Sequence, residues 1–310
     1  MKHYLYNGVA GETRHIPRDI THATVAKHVN KIMEEAFKDC ECLVSFIMHD
    51  DVKEIEHHAF KNCTALKLIR LSKTLQCIGK GAFFGCTSLD NCFIPSTLTE
   101  LGRQVFGMCH SLELLILPRN IKLTWHTNLD FESTGIYTQI ARNSGFEYEY
   151  QNVFSRRRRR TEKVLVGGVK KINLWMQQHM DHYPLHKLCY EPSVTTKQIN
   201  DYLSDKDTNY VTSGVDHHHF MMPLHVLAMN PHAPSGSITA LFRTNTEALF
   251  HMDRLQNTPL KLADQYNVDG LLELVNCLCI HRYNHIGDSI PMCSAGGKLS
   301  GPVTKKIKRC

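Results

Sequence analysis

Along the first 120 residues the apolar positions return in a fixed register. Ala36-Phe37-x-x-Cys40 recurs as Ala59-Phe60-x-x-Cys63, as Ala82-Phe83-x-x-Cys86 and, with one change, as Val105-Phe106-x-x-Cys109, each copy 23 residues after the last. The same step aligns Ile20, Leu43, Leu66, Leu89 and Leu112, then Ile32, Ile55, Ile78 and Leu101. A third column holds Val29, Val52, Leu75, Leu98 and Ile121. Such a period marks stacked units, none of which can bury its apolar edge alone. Within one unit, Ile69 and Leu71 alternate inward while Leu68 and Arg70 point outward, which predicts a short strand. The stretch from Ile78 to Cys86 predicts a return on the other side as a short helix or helical turn. Stacked at about 4.8 Å, the strands would form one parallel sheet.

The outward side of that sheet carries two columns. One holds His22, Ser45, Leu68, Asn91 and Leu114; the other holds Thr24, Ile47, Arg70, Phe93 and Ile116. A solvated face would be polar throughout. Instead Ile47, Leu68, Phe93, Leu114 and Ile116 are apolar and Arg70 lies among them, the composition of a protein-binding patch. The alternative is that the connector or the helical part folds back over this face.

The pattern changes after residue 124. Residues 181 to 280 contain a different echo: Tyr183-Pro184-Leu185-His186, Met222-Pro223-Leu224-His225 and Thr258-Pro259-Leu260-Lys261. Proline suits the first turn of a helix, where its missing N–H has no partner to lose. Each echo therefore predicts a helix start, with second helices at Thr196–Leu203, about Ser237–Phe242 and Asp269–Leu278. Enlarged loops are expected at Asp205–Phe220 and Pro231–Ser237. Between the repeats, Ile172, Trp175, Met176 and His179 share one face of a predicted helix that would pack as a lid on the first helical unit.

Both patterns resemble known repeats. Ile78-Gly79-Lys80-Gly81-Ala82-Phe83-Phe84-Gly85-Cys86, followed by Phe93-Ile94-Pro95, resembles the BspA-type leucine-rich repeat over roughly residues 15–124. The Pro-Leu-His echoes resemble a degenerate ankyrin repeat, in which the motif histidine, here His186 and His225, hydrogen-bonds a neighbouring turn. Only one copy has Thr before Pro, and Lys261 stands where the third histidine would be. The resemblances imply an α/β leucine-rich repeat solenoid over 15–124, a parallel sheet with short helices. A connector follows at 125–171, then an all-α ankyrin-like solenoid at 172–281. Residues 282–310, rich in Gly, Ser and Lys, are expected to be a disordered basic tail.

Charge sharpens this division. The chain holds 36 Lys and Arg against 30 Asp and Glu. Ten of the cations lie in two short stretches without acids: Arg156, Arg157, Arg158, Arg159 and Arg160 in the connector, and Lys298 to Arg309 in the tail. Without them the balance is 26 to 30, so the expected folded parts are mildly acidic and lack a broad basic face for nucleic acid. No run of about 18 apolar residues predicts a membrane span. The first residues lack the apolar core of a signal peptide, so the 12 cysteines are expected to be reduced thiols in an intracellular, cytoplasmic or nuclear setting.

Candidate chemistry is sparse. The Cys40, Cys63, Cys86, Cys109 column would place its sulfurs along a line, whereas zinc needs four ligands converging at about 2.3 Å, so these cysteines are expected to pack as small buried hydrophobes. His217-His218-His219 reads as a solvated loop, and Cys277-x-Cys279-x-His281 as one packed helix face. There is no Gly-x-Ser-x-Gly elbow, phosphate-binding glycine loop or His-Glu-x-x-His. No cofactor and no metal are therefore expected. The leading expectation is a non-enzymatic adaptor or scaffold whose protein partner is unidentified. The alternative is a nucleic-acid or anionic-surface binder acting through Arg156–Arg160 and the tail. An enzyme hidden in residues 123–170 is the third class.

Overall fold

The structure, a computed structural model, describes residues 1–9, 11–119, 121, 175–205 and 208–287. Its N-terminal part is a parallel-strand solenoid. On one side β1 (His3–Tyr6), β2 (His22–Val25), β4 (Ser45–Ile47) and β6 (Leu68–Arg70) pair in that order, and β8 (Asn91–Cys92) pairs with β10 (Leu114–Leu115). From β2 onward every register step is the 23-residue period, as in Ser45 opposite Leu68 and Asn91 opposite Leu114. The stack begins earlier than the sequence period showed, because His3 pairs with His22 across a spacing of 19.

The return side is also a ladder. Two-residue strands β3 (Lys31–Ile32), β5 (Glu54–Ile55), β7 (Cys77–Ile78) and β9 (Glu100–Leu101) stack in parallel, and turns rather than helices follow them. Each turn needs two residues with left-handed backbone. The first column is Glu35, His58, Gly81 and Gln104; the second is Asp39, Asn62, Gly85 and Met108. Only the third unit supplies glycine at both, where left-handed φ carries no Cβ penalty.

Between the two ladders the phenylalanine column is fully buried. Phe37, Phe60, Phe83 and Phe106 stack nearly parallel, with ring centroids 5.4, 5.3 and 5.6 Å apart. The cysteine column lies beside it. Three of its four thiols donate to a phenylalanine carbonyl of the preceding unit: Cys63 to Phe37 at 3.0 Å, Cys86 to Phe60 at 3.2 Å, Cys109 to Phe83 at 3.1 Å. Burial pushes the Cys109 thiol up to about 12, so it stays protonated and inert.

The C-terminal part is helical: α1 (Pro184–Tyr190), α2 (Thr196–Ser204), α3 (Thr208–Ser213), α4 (Pro223–Met229), α5 (Ser235–Thr244), α6 (Pro259–Tyr266) and α7 (Val268–Gly287). The three proline helices begin at the three echoes. Thr258 caps α6 by accepting from the Lys261 amide, and Thr195 and Gln198 form a reciprocal capping box on α2. Helices α1, α4 and α6 pack in one row, and α2, α5 and α7 in a second. The short α3 occupies the loop expected after Asp205.

The segment before α1 departs from expectation. Its helical turn at 175–178 does not lie as a lid on the helical units alone. Met176 is buried in the core of the strand solenoid, and its carbonyl accepts from the Leu117 amide at 3.1 Å. Met180, one turn on, is buried in the helical core. The segment therefore closes the end of one core and opens the other, while Ile172 lies outside the described residues. Its contact with Leu117 also brings the two ends of the 122–174 stretch together.

Candidate functional site

The sheet face expected to bind a partner is largely occupied by the chain itself. Phe93 and Leu114 are 2% exposed and Ile116 is 6% exposed, and all three belong to the helical core cluster. This corrects the expectation of an open face at those positions. The physical reason is the apolar character that singled them out, because α1 buries it intramolecularly. Leu68 and Arg70 are half-buried against the same helices, and Ile47, nearer the N-terminal end, keeps partial exposure.

Tyr190, the last residue of α1, is the centre of this contact. Its ring stacks on Phe93 with centroids 4.7 Å apart. Its hydroxyl donates to the Cys92 carbonyl and accepts from the Ile94 and Ile116 amides, the latter at 3.2 Å. One donor and two lone pairs are thus all used at the ends of β8 and β10. Nothing in the spacing of Tyr190 advertised this, since its position in the echo is held by Met229 in the next unit.

Two buried histidines pin the halves together in opposite protonation states. His232, in the loop between α4 and α5, donates through Nε2 to the Leu71 carbonyl at 2.8 Å and accepts at Nδ1 from Arg70 at 3.2 Å. That pattern requires a neutral ring, and burial with the Arg70 charge holds its pKa down to about 4. His219 faces two acceptors instead, the Asp216 carboxylate at 3.1 Å from Nδ1 and the Glu113 carbonyl at 3.1 Å from Nε2. Both nitrogens must donate, so the ring is cationic. Burial alone would lower its pKa, but the Asp216 hydrogen bond and charge outweigh that and raise it. The His217–His219 loop is therefore not the solvated loop expected from its composition.

The loops before α4 and α6 present a different surface. Phe220, Phe250, Met252 and Leu255 are 50, 66, 52 and 55% exposed. Their loops are tied side by side: the Arg254 amide donates to the His219 carbonyl at 2.9 Å, and His251 Nε2 donates to the Phe220 carbonyl at 3.3 Å. Phe220 also has a left-handed backbone, φ 56°, which a bulky side chain rarely adopts. Two aromatics, a methionine and a leucine on adjoining anchored tips form an interface-like patch. The clue in the sequence was Phe-Met-Met and Phe-His-Met in loop segments, where polar residues are the rule.

The remaining candidates are structural. His186 donates to the Met221 carbonyl at 2.8 Å and His225 to the His251 carbonyl at 3.1 Å, each tying its helix to the next loop. Cys277 is buried, Cys279 is exposed, and the His281 ring lies edge-on to Phe242. Among the described residues no three His, Cys, Asp or Glu side chains converge to hold a metal, and no helix is long and apolar enough to cross a membrane. Arg156–Arg160 and residues 288–310 lie outside the described residues, while residues 282–287, expected to open the disordered tail, continue helix α7.

No curated protein matches the chain. Three solved structures are similar to it. The leucine-rich repeat protein of T. pallidum is 32% identical over 32% of this chain and 46% of that one, with a TM-score of 0.32. A leucine-rich cell surface protein of Faecalibacterium prausnitzii A2-165 is 29% identical over 38% and 32%, with a TM-score of 0.35. A leucine-rich repeat protein of Bacteroides ovatus ATCC 8483 is 36% identical over 34% and 27%, with a TM-score of 0.33. Each similarity covers less than half of the relative's own length. The helical half is matched by no family. Residues 18–128 match the BspA type leucine rich repeat region in six copies, and this part of the chain is such a repeat region.

Proposed function

We propose that this chain is a non-enzymatic adaptor or scaffold that binds protein partners through the loop tips of its helical half. The exposed Phe220, Phe250, Met252 and Leu255 on two adjoining, hydrogen-bonded loops carry this reading. Large apolar side chains held at half exposure or more lower the stability of the free protein's surface in water, and a partner that covers them regains that free energy. The leucine-rich repeat region supports a binding role, and in this reading it serves chiefly as the platform on which the helices rest. We read those helices as ankyrin-like, because each hairpin opens on proline and His186 and His225 each bond the following loop.

The test is affinity capture from cell extract with wild-type protein and the Phe220→Ser/Phe250→Ser double variant. Both side chains are exposed, so the variant should keep its melting midpoint within a few degrees. Loss of the captured proteins at unchanged stability is expected. Equal capture by both would remove the tips from consideration. Capture that disappears in moderate salt for both proteins would instead point to a polyanion contact.

A further inference from the structure

Beside the apolar tips, a cleft of about 310 Å³ opens between the sheet edge and α6. Its floor is apolar, with Leu114, Met221, Met229 and Leu262. Its polar lining is unevenly engaged. Asp253 accepts from the Leu255 and Asn257 amides and from the Asn257 side chain, so its carboxylate is turned into its own loop. Asp90 accepts from the Tyr266 hydroxyl and the Asn91 side chain, and burial raises its pKa.

The cations are less fully engaged, although Lys67 sits 5.8 Å from the Tyr266 ring centroid and its charge acts on Asp90. Lys67 donates to the neutral Gln265 at 2.9 Å, Arg254 donates to the His218 carbonyl, and Lys261 is exposed. Among the described residues none of the three forms an ion pair, and Glu113 is the one lining carboxylate whose oxygens take no described hydrogen bond. The cleft thus offers an apolar floor under a basic mouth, continuous through Leu255 with the exposed tips.

We infer that this cleft takes an acidic peptide segment of the partner, with an apolar side chain on the Leu114–Leu262 floor and carboxylates at Lys67, Arg254 and Lys261. The inference rests on the binding role assigned above and names the chemistry of what is bound. Charge complementarity selects the segment: a basic or neutral peptide of equal apolarity would leave these cations unpaired.

Two labelled peptides separate the possibilities, Ac-Asp-Glu-Phe-Leu-Asp-Glu-NH2 and its counterpart with every acid replaced by lysine. Fluorescence anisotropy with the full chain should show the acidic peptide binding at least about tenfold more tightly, with affinity falling as salt rises. The exposed double variant Arg254→Glu/Lys261→Glu should abolish or invert that preference while melting as the wild type does. Equal affinity for the two peptides, preference for the basic one, or no binding of either at millimolar concentration would overturn the inference. An unchanged preference in the double variant would also overturn it. The two readings fail separately: partner capture that depends on Phe220 and Phe250 but ignores Arg254 and Lys261 sinks the acidic segment and leaves the adaptor standing.

Discussion

Removing one oxygen atom should loosen the helical half from the sheet. In Tyr190→Phe the ring keeps its stack on Phe93, while the Ile94 and Ile116 amides and the Cys92 carbonyl lose their common partner. These groups lie in the buried seam between α1 and the strand ends, where water cannot replace the hydroxyl without opening the contact. A buried polar group left unsatisfied costs about 1–3 kcal/mol. Local relaxation will recover part of this, so a total loss of about 2–4 kcal/mol is expected, a large share of a typical 5–15 kcal/mol. Equilibrium denaturation in urea would measure it, with the slope checked for a change in cooperativity. Tyr202→Phe, half-buried on α2, is the control and should stay within about 0.5 kcal/mol. A Tyr190→Phe loss as small as the control's would refute the three-bond account.

Further outcomes follow from the same structure. Phe83→Ala should cost about 3–5 kcal/mol, because it empties the middle of a stacked column, and calorimetry would show it. His232 is held neutral with a pKa of about 4 against 6.5 in the unfolded chain. The unfolded state therefore binds the extra proton first, and stability should fall as pH drops from about 6.5 towards 4, by up to about 3 kcal/mol. His232→Gln should flatten that limb of the pH–stability curve. His219 has the opposite sign: its raised pKa adds stability that is complete below pH about 6.5 and is lost as pH rises through the native value.

The repeat was legible because a solenoid writes its core as columns. Phe37, Phe60, Phe83 and Phe106 announced their shared environment through spacing alone, and the structure stacks them. The helix starts were legible for a local reason, since proline at a first turn acts without tertiary help. The return strands β3, β5, β7 and β9 were not, because two residues are too few to show alternation. β1 was missed for a different reason: its spacing of 19 to β2 breaks the period. The sheet face was expected first as an open binding patch and alternatively as a face the helical part folds over, and at Phe93, Leu114 and Ile116 the structure has the second arrangement. Its apolar residues state that something covers them, but a pattern along the chain carries no information about which distant element does so. Tyr190 answers that only in three dimensions. The exposed tips proposed to bind escaped in the same way, since an exposed Phe220 and a buried Phe93 look alike in one dimension.

Hydrogen exchange on the intact protein tests most directly whether the helices close the sheet face and leave binding to the tips. Peptides covering residues 91–94 and 114–117, whose Ile94 and Ile116 amides donate to the Tyr190 hydroxyl, should exchange as slowly as those covering 45–48 in the buried ladder. Exchange of 91–94 and 114–117 much faster than that of 45–48 would contradict the account, because the face would then be open and the binding surface would have to be sought there.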